Sequence, residues 1–371
     1  MEKKYATQGI LTAMQAESLV SKLMYSVEGI SNCYLDTDSQ EIVVHTSVEC
    51  DLALLENTIG QMMEWEKHHR IIKPRMYKES ETSLGINRKL FDVDDVFVED
   101  GSIRRNFAVQ LFEKLDTLFL KLAYRHEAKL RKYPSMIPLQ TLDKCKYITS
   151  FPQNIHLVSE IPHQLEVLKQ VKEKQQIDEI ARLSSYALSP AVCFHCYEEL
   201  TGSRLDQPLV LTANGTCYRH EAPWRLGKHR LKEFSMREIV VFGDAEYVEA
   251  LRKFYMEEVW GLFESLGLQG KIETASDPFY FSEDVAKSQH QLMGNMKYEL
   301  IVSLGTEAFS ITSFNHMSDT LTKPFNVCDR DHNYLNSGCI AFGIDRWVYA
   351  LLRTYGPEFN QWPQEIQSLL S

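Results

Sequence analysis

The spacing of apolar positions in the first 80 residues predicts a small α/β domain. NCYLDTD and EIVVHTS alternate apolar with polar positions like two paired strands, and Asp36–Ser39 between them has the composition of a turn. Apolar residues at helical spacing predict flanking helices over Ala13–Tyr25 and Leu52–His68. Residues 1–80 are therefore expected to form an accessory domain, and the polar, acidic, turn-rich residues 81–104 a linker.

A long amphipathic helix is predicted after the linker. Its apolar residues recur at i, i+3, i+4 and i+7 on one face: Ala108, Leu111, Phe112, Leu115, Leu118, Phe119 and Leu122. Tyr133 and Pro134 end the pattern, and SMIPL, which finishes at Pro138, is typical of a short extended piece. Similar periodicity predicts helices over Gln164–Arg182 and Ala245–Leu266.

The remaining apolar runs have the character of strands. They occupy residues 208–212, 215–219, 233–242, 271–275, 297–304 and 308–315. Since they do not alternate regularly with helices, a parallel β-α-β arrangement is not indicated. Residues 105–371 are therefore predicted to form one α+β domain with a mixed or mainly antiparallel sheet flanked by helices.

Charge and cysteine usage narrow the functional classes. The formal net charge of −11 disfavours broad nucleic-acid binding but leaves room for a local anion site. No apolar run is long enough to span a membrane, and the N-terminus lacks the pattern of a signal peptide, so we expect a cytoplasmic protein. The eight cysteines have no framework spacing, which favours free thiols or metal ligands over disulfides.

A basic connector in this acidic chain is the first candidate site. In CYRHEAPWRLGKHRLKEFSMREIVVFG, residues 217–243, Arg219 and Glu221 lie two positions apart and are predicted to share one face of an extended strand. The guanidinium suits a phosphate oxygen, the carboxylate could accept from the exocyclic amine of a purine, and Phe234 could stack on the base. The connector's other cations, Arg225, Lys228, Arg230 and Lys232, could close over a polyphosphate. A solvated hairpin with surface charges is the alternative.

A second stretch gives the connector a family context. NSGCIAFGIDRWVYALL, residues 336–352, is a strand of small residues that leads into an apolar helix. The two stretches resemble motifs 2 and 3 of the class II aminoacyl-tRNA synthetases. The matching residues are Arg219, Glu221, Phe234 and Glu238 in motif 2 and Gly343, Ile344, Asp345 and Arg346 in motif 3. The long helix and YPSMIPL resemble motif 1 with Pro138 as its proline, which implies a homodimer through that helix.

The sequence departs from the usual motif 3, and the departure is informative. Cys339 and Ala341 stand where glycines are usual, and Asp345 replaces a glutamate. The cysteine is similar to that of the atypical zinc-containing seryl-tRNA synthetases and their truncated relatives, the amino acid:[carrier protein] ligases. The segments that resemble the ligases, in order, are LFEKLDTLFLKLA, YITSFP, ALSPAVCFHCY, CYRHE, FSMRE, SFNH and GCIAFGIDR. The resemblance covers about residues 105–355 and leaves the first hundred unexplained.

The resemblance implies a zinc ion held by Cys193, Glu238 and Cys339. Their intervals match no short zinc pattern, but two thiolates and a carboxylate suit Zn²⁺ and leave a fourth position open. In the family the α-amino group of the substrate takes that position. Cys193 and Cys196 in CFHC allow a rival redox or zinc-knuckle interpretation, whereas Cys196, Cys217 and Cys328 are expected to be buried core residues.

The resemblance also implies an ATP site. Arg219 would hold the α-phosphate, Arg346 the γ-phosphate, and the strand 310–313 would line the nucleotide and Mg²⁺ region, although it lacks a carboxylate found there in seryl-tRNA synthetases. Adenine would be held with the help of the connector. The complete set of implied ATP contacts is Arg219, Glu221, Arg230, Leu231, Phe234, Ser310, Ile311, Thr312, Ser313 and Arg346.

The function implied is activation of a small amino acid as an adenylate and its transfer to the phosphopantetheine thiol of a carrier protein. The predicted docking patch contains Lys129, Arg131, Lys132, Lys144 and Lys146. One alternative is a zinc-dependent seryl-type tRNA synthetase, although residues 1–80 have neither a coiled-coil arm nor a basic stripe for tRNA. The other is a non-catalytic, synthetase-like regulator, against which the intact motif residues argue.

Overall fold

The chain folds into two compact units. A computed structural model describes residues 1–68, 72–81, 90–98, 101–173, 176–222, 225–277 and 285–371. One unit consists of residues 1–73 with 221–226, and the other of residues 74–220 with 227–371. Within the part of the chain so described, no helix is long and apolar enough to cross a membrane.

The first unit is a three-stranded sheet with two helices. Its elements are β1 (Glu2–Ala6), α1 (Ala13–Leu23), β2 (Ile30–Asp36), β3 (Glu41–Thr46) and α2 (Leu52–Lys67). The strands pair antiparallel in the order β1-β3-β2. Thr12 and Gln15 form a capping box at α1, and Asp51 caps α2, so polar side chains define both helix starts. The predicted strands and helices of this region are confirmed.

The second unit is built on an eight-stranded sheet. The strands of this unit are β4 (Met76–Glu79), β5 (Phe97–Val98), β6 (Ile103–Arg104), β7 (Lys129–Arg131), β8 (Met136–Pro138), β9 (Leu157–Glu160), β10 (Arg182–Leu188), β11 (Leu209–Tyr218), β12 (Glu233–Gly243), β13 (Gly270–Thr274), β14 (Lys297–Leu304), β15 (Glu307–Ser318) and β16 (Asn336–Gly343). The large sheet has the order β4-β13-β14-β15-β16-β12-β11-β7. Its pairs are antiparallel except β11 with β7. The predicted α+β class with a mainly antiparallel sheet is confirmed.

Helices cover both faces of this sheet. They are α3 (Phe107–Tyr124), α4 (Leu139–Lys144), α5 (Tyr147–Ser150), α6 (Leu165–Lys172), α7 (Ile177–Ile180), α8 (Cys193–Glu199), α9 (Ala245–Ser265), α10 (Val285–Met293), α11 (Ile344–Tyr355) and α12 (Gln364–Leu369). On one face α3, α9 and α11 bury a large core, in which Phe119 stacks on Phe342 with ring centroids 4.3 Å apart. The predicted long helix is therefore confirmed as α3.

The alternation of side chains along β12 separates two environments. Ile239 and Val241 face the core under α3, α9 and α11, whereas Val240 and Phe242 face a second cluster that contains α8. Successive residues of a strand point to opposite faces, so Glu238 shares the face of Val240. This second face is where the candidate metal ligands lie.

Two expectations about secondary structure need correction. The helix predicted over 164–182 is wrong as a single element, because α6 and α7 are separate and the chain then enters β10, which pairs with β8 and β9. The strands predicted at 208–212 and 215–219 are one strand, β11, because Ala213 and Asn214 between them continue the pairing with β12, as does Gly215 opposite Met236. A Cβ on Gly215 would approach Val192 Cγ2 to 3.0 Å, so close packing explains the glycine.

The region between the two predicted domains also contains regular structure. β4 lies within the range predicted as the accessory domain, yet it pairs antiparallel with β13 at the edge of the large sheet. Within the predicted linker 81–104, β5 and β6 form a short hairpin, and residues 82–89 and 99–100 lie outside the described residues. The domain boundaries at residues 80 and 105 stay a prediction.

Candidate active site and metal centre

Sheet register brings two of the predicted metal ligands together. β12 pairs with β16 so that Glu238 lies opposite Ala341 and Val240 lies opposite Cys339. Glu238 and Cys339 are therefore diagonal neighbours on one face, a distance that long side chains can bridge. Cys193, the first residue of α8, packs over the same face. The three residues, which lie far apart in the sequence, meet through tertiary structure.

Cys193, Glu238 and Cys339 have the geometry of a set of ligands arranged around a metal ion. One ligand atom from each of Cys193, Glu238 and Cys339 lies within 4.8 Å of the other two, and all three residues are buried. The Cys339 thiol donates to Glu238 Oε2 at 2.9 Å. The backbone N–H groups of Val192 and Cys193 donate to Glu238 Oε1 and Oε2 at 2.8 and 3.2 Å. These bonds fix the carboxylate, as outer hydrogen bonds do for metal-binding carboxylates.

The donor set fits zinc. Zinc bonds of about 2.1 Å to oxygen and about 2.3 Å to sulfur put tetrahedral ligands about 3.5–3.8 Å apart, within the observed spread. A hydrogen bond with Cys193, burial and the Glu238 carboxylate raise the pKa of Cys339 well above its usual range. The contact with Cys339 lowers the pKa of Cys193, but burial and Glu238 outweigh it and the pKa is raised. A bound cation would supply the positive charge that thiolates need here.

The rival pair in CFHC has a different environment. Cys196 is buried with Tyr133 close to its thiol, and the candidate metal ligand Cys193 has Glu238 and Cys339 as its neighbours instead. In the portion that the structure describes, Cys193, Glu238 and Cys339 are the one group of three or more such residues with metal-binding geometry. His195 stacks on Tyr133, and burial lowers its pKa to about 4, so its imidazole is neutral at pH 7.

Arg219 is held directly beyond the end of β11. Its backbone N–H donates to Lys232 O at 2.9 Å, and its guanidinium donates to Pro190 O through Nε and Nη2 at 3.4 Å each. The guanidinium carbon lies 5.2 Å from the centroid of the Phe234 ring. The structure thus brings two predicted ATP contacts together, with the cation on the aromatic face.

The expectation that Arg219 and Glu221 share a face of an extended strand is wrong. β11 ends at Tyr218, and both residues lie beyond it. Glu221 belongs to the segment 221–226, which groups with residues 1–73, while Arg219 belongs to the second unit. The role of Glu221 with adenine stays a prediction.

Arg346 is the third residue of α11, and its guanidinium contacts two other segments of the chain. Its Nε donates to His229 O at 2.9 Å, and its Nη1 donates to Ser310 O at 2.8 Å. The motif 3 arginine is thereby fixed between β15 and the connector that precedes β12. Asp345 beside it accepts from Ser235 N at 2.5 Å and forms an ion pair with Arg104.

The predicted nucleotide strand 310–313 presents two faces. A bulge in β15 leaves Ile311 and Thr312 both buried in the core with 1 % exposure, and Trp347 Nε1 donates to Thr312 Oγ1 at 3.0 Å. Ser313 pairs with Ala341, which places it on the face of Glu238. Of the four residues, only Ser310 and Ser313 are partly exposed. Ile311 and Thr312 pack under α11.

The remaining connector residues form a tight turn. Gly227 and Arg230 bond each other through both backbone groups, and Lys228 pairs with Asp94. Leu231 is buried with 7 % exposure. These residues lie in the second unit, next to the strand that carries Phe234 and Glu238.

Sequence reasoning missed a polar group on the same sheet face. Lys297 pairs with Asp277 at 2.6 Å and with Glu299 at 3.0 Å, and lies opposite Asn315 in the register of β14 and β15. Asn315 lies in turn opposite Cys339 and donates to its carbonyl oxygen at 3.3 Å. The charged residues Lys297 and Glu299, two positions apart in KYELIVSL, were the available sequence signal for this polar group, since residues two apart on a strand share a face.

Comparisons with known proteins agree with this architecture. The family model of the tRNA synthetase class II core domain (G, H, P, S and T) matches residues 177–355. An amino acid–[acyl-carrier-protein] ligase of Bradyrhizobium diazoefficiens is 27% identical over 248 residues, covering 64% of this chain and 75% of the ligase. A type-2 serine–tRNA ligase of Methanopyrus kandleri is 29% identical, covering 63% of this chain and 49% of that enzyme. The chain thus matches about half the length of the tRNA ligases.

Solved structures support the same fold. The seryl-tRNA synthetase of M. kandleri, crystallised with a tRNA from A. aeolicus, superposes with a TM-score of 0.68 at 21% identity, covering 100% of this chain and 77% of that one. A cytoplasmic serine–tRNA ligase of Naegleria fowleri in complex with AMP gives 0.59 at 12% identity, covering 86% of this chain and 80% of that one. Strand order and the family match over residues 177–355 give this protein the core fold of the class II aminoacyl-tRNA synthetases, and its sequence is similar to those of amino acid–[acyl-carrier-protein] ligases and type-2 serine–tRNA ligases.

Proposed function

We propose that the protein activates a small amino acid with ATP and transfers it to the phosphopantetheine thiol of a carrier protein. The observation that carries this proposal is the buried group of Cys193, Glu238 and Cys339 in the same sheet whose strand ends hold Arg219 and Arg346. The group of Cys193, Glu238 and Cys339 would hold an amino group, and Arg219 and Arg346 would hold a polyphosphate.

The activation step uses the chain's own residues for orientation and charge. A carboxylate oxygen of the amino acid attacks the α-phosphorus of ATP, the bond to the bridging oxygen breaks, and pyrophosphate leaves. Arg219 stabilises the charge that develops on the α-phosphate, and Arg346 holds the γ-phosphate. Phe234, Arg230 and Leu231 hold adenosine, and Mg²⁺ accompanies the phosphates.

Cys193, Glu238 and Cys339 would hold the zinc ion, which when bound offers an open position to the neutral α-amino group. The protein's contribution is placement: Val192 N and Cys193 N fix Glu238, so the amino acid is presented to ATP in one orientation. In the second step the carrier thiol sulfur attacks the acyl carbon, AMP leaves, and the thiol proton is released to solvent. The product is a thioester.

Charge favours a carrier protein over tRNA as the acceptor. Residues 1–73 contain six Lys or Arg against eleven Asp or Glu, which is a poor surface for a phosphate backbone. The ligase relative is also matched over a larger share of its length than the tRNA ligases. The second candidate is a tRNA ligase, which the match of the whole chain to the M. kandleri synthetase favours.

The predicted carrier patch is partly engaged within the protein. Arg131 pairs with Glu199 at 2.8 Å and Lys144 with Glu198 at 3.8 Å, whereas Lys129, the first residue of β7, is exposed. Reversing the charge of Lys129, together with the other exposed patch lysines at 132 and 146, should raise KM for an acidic carrier several-fold. It should leave amino-acid-dependent pyrophosphate exchange unchanged.

The deciding experiment offers labelled amino acid and ATP to a phosphopantetheinylated carrier and to tRNA side by side. We expect hydroxylamine-labile label on the carrier; label on tRNA alone would replace the proposal by the second candidate, and no pyrophosphate exchange at all would favour a regulator. Arg346→Ala should lose about 10²- to 10³-fold in exchange, as removed charge-stabilising donors do. Arg330→Ala, which removes an exposed arginine, is the matched control.

A further inference from the structure

The tip of the connector is a tight turn with two anchors. Gly227 N donates to Arg230 O at 3.1 Å and Arg230 N donates to Gly227 O at 2.8 Å, so Lys228 and His229 form the tip. Lys228 pairs with Asp94. A Cβ on Gly101 would come within 2.8 Å of Lys228 Cα, so the backbone packs closely against this turn.

The ring of His229 packs in an aromatic seat, which is formed by Phe309 on β15 and Tyr349 on α11. The His229 ring stacks on Phe309 with centroids 4.4 Å apart and planes 14° from parallel, and lies 5.5 Å from the ring of Tyr349. His229 Nδ1 is 3.9 Å from Glu307 Oε2, to which the Tyr349 hydroxyl donates at 3.1 Å. Tyr349 in turn lies beside Arg353, which also approaches Glu307.

The backbone of the same residue holds the motif 3 arginine. His229 O accepts from Arg346 Nε at 2.9 Å, and Arg230 follows directly in the chain. The seat of one ring therefore determines the position of a carbonyl that orients Arg346 and of the backbone that carries Arg230. Both cations are proposed to contact ATP.

We propose that His229 is a positioning residue, whose ring, seated between Phe309 and Tyr349, places Arg230 and Arg346 for the nucleotide. This inference rests on the proposed function for the identity of the ligand, while the seat itself is a property of the protein alone. The role requires an aromatic ring of about this size at position 229, and requires neither a positive charge nor contact with the substrate.

The protonation state agrees with an aromatic seat. Burial and the charges of Arg346 and Arg230 lower the pKa of His229, and Glu307 only partly opposes them. Tyr349 is uncharged, because burial and Glu307 raise its pKa to about 12. A lowered histidine pKa means that the seated state prefers the neutral ring. The seat is thus fully stabilised above the ordinary pKa of 6.5 and weakens as pH falls below it.

The variants that test the seat are His229→Ala, His229→Phe and Phe309→Leu. His229→Ala should raise KM for ATP in pyrophosphate exchange by about three- to tenfold, the size expected for one lost aromatic pair, with a smaller change in kcat. His229→Phe should restore KM and should lack the extra loss of ATP affinity below pH 6.5 that we expect of the wild-type protein. His163→Ala, which removes an exposed histidine, is the control.

A second measurement tests whether the packing of the His229 ring holds the turn, independently of catalysis. Amide hydrogen exchange at Gly227 and Arg230, whose N–H groups close the turn, should accelerate about three- to tenfold in nucleotide-free His229→Ala and return in His229→Phe. Phe309→Leu should add little to His229→Ala, because both remove the same pair. Unchanged exchange in His229→Ala, or failure of His229→Phe to restore it, would overturn the inference. Absent catalysis in the wild-type protein would instead remove the proposed function.

Discussion

The strand that carries Glu238 is tied to α3 by a buried ion pair. Arg237 donates through Nε and Nη2 to Asp116 at 2.5 and 2.8 Å, and through Nη1 to Thr212 Oγ1 at 3.2 Å. The Thr212 hydroxyl donates in turn to Glu238 O at 2.9 Å. The side chain of Arg237 is 4% exposed and that of Asp116 is 17% exposed. We therefore predict that the two partners are unequal in their effect on stability.

The effects on stability are unequal because each substitution leaves a different charged group without its partner. Asp116→Ala leaves a buried guanidinium that cannot lose its proton, and breaking a buried pair in this way costs about 3–5 kcal/mol. Arg237→Met keeps most of the packing volume and leaves a carboxylate that water can reach. We expect a cost of about 1–3 kcal/mol for its unpaired acceptors. Replacing both by apolar residues, Asp116→Leu with Arg237→Met, should cost less than Asp116→Ala alone.

Urea denaturation followed by tryptophan fluorescence measures these differences, because Trp260 and Trp347 are buried in the core of the second unit. The comparison is valid where the m-values agree. Asp116→Ala should also release zinc faster to a chelator, since it loosens the hydrogen-bonded chain to Glu238. If Arg237→Met proves as costly as Asp116→Ala, or the double variant costs more than Asp116→Ala, the reasoning is refuted.

Two further predictions concern the metal ligands and the polar group on β14. Zinc should be present near one per chain, and Cys339→Ser and Cys193→Ser should each lose it while Cys196→Ser keeps it; full occupancy in either of the first two variants would contradict the ligand set. Burial raises the pKa of Asp277, but its ion pair with Lys297 lowers that pKa by a larger amount, so the net shift of the pKa is downward. That contribution to stability is present above the ordinary pKa of 3.8 and is lost as pH falls below it. Lys297→Met should therefore lower stability at pH 7 and flatten its acid dependence, and an unchanged acid midpoint would contradict this.

Local patterns of apolar residues were sufficient to predict a helix or strand where one of its faces is buried in the core. The apolar stripe of α3 was readable because Ala108, Leu111, Leu115 and Phe119 all face one core. In the segment predicted as one helix over 164–182, α6 buries none of its residues. Amphipathic spacing there was mistaken for a continuous helix, and Arg182, the last residue of the segment, begins β10, which pairs with β8 and β9.

The candidate metal site could not have been found from spacing. Glu238 and Cys339 meet only because β12 and β16 pair in one register, and a shift by one residue would move Cys339 to the other face. The family resemblance supplied what local physics could not. The same resemblance implied four consecutive nucleotide contacts along residues 310–313, but neither it nor the local pattern predicted the bulge in β15 that leaves both Ile311 and Thr312 buried in the core.

Counting basic residues along the sequence does not separate an arginine that holds the fold from the arginines proposed to bind ATP, whereas the structure shows which acceptors orient each of them. Arg237 donates to a carboxylate, which compensates its charge within the protein. Arg219 and Arg346 donate to the main-chain carbonyls of Pro190, His229 and Ser310. A carbonyl oxygen is a neutral acceptor that fixes the direction of a guanidinium, and a fixed cation is what a site for a polyphosphate requires. Orientation by main-chain carbonyls is therefore consistent with the ATP contacts proposed for Arg219 and Arg346.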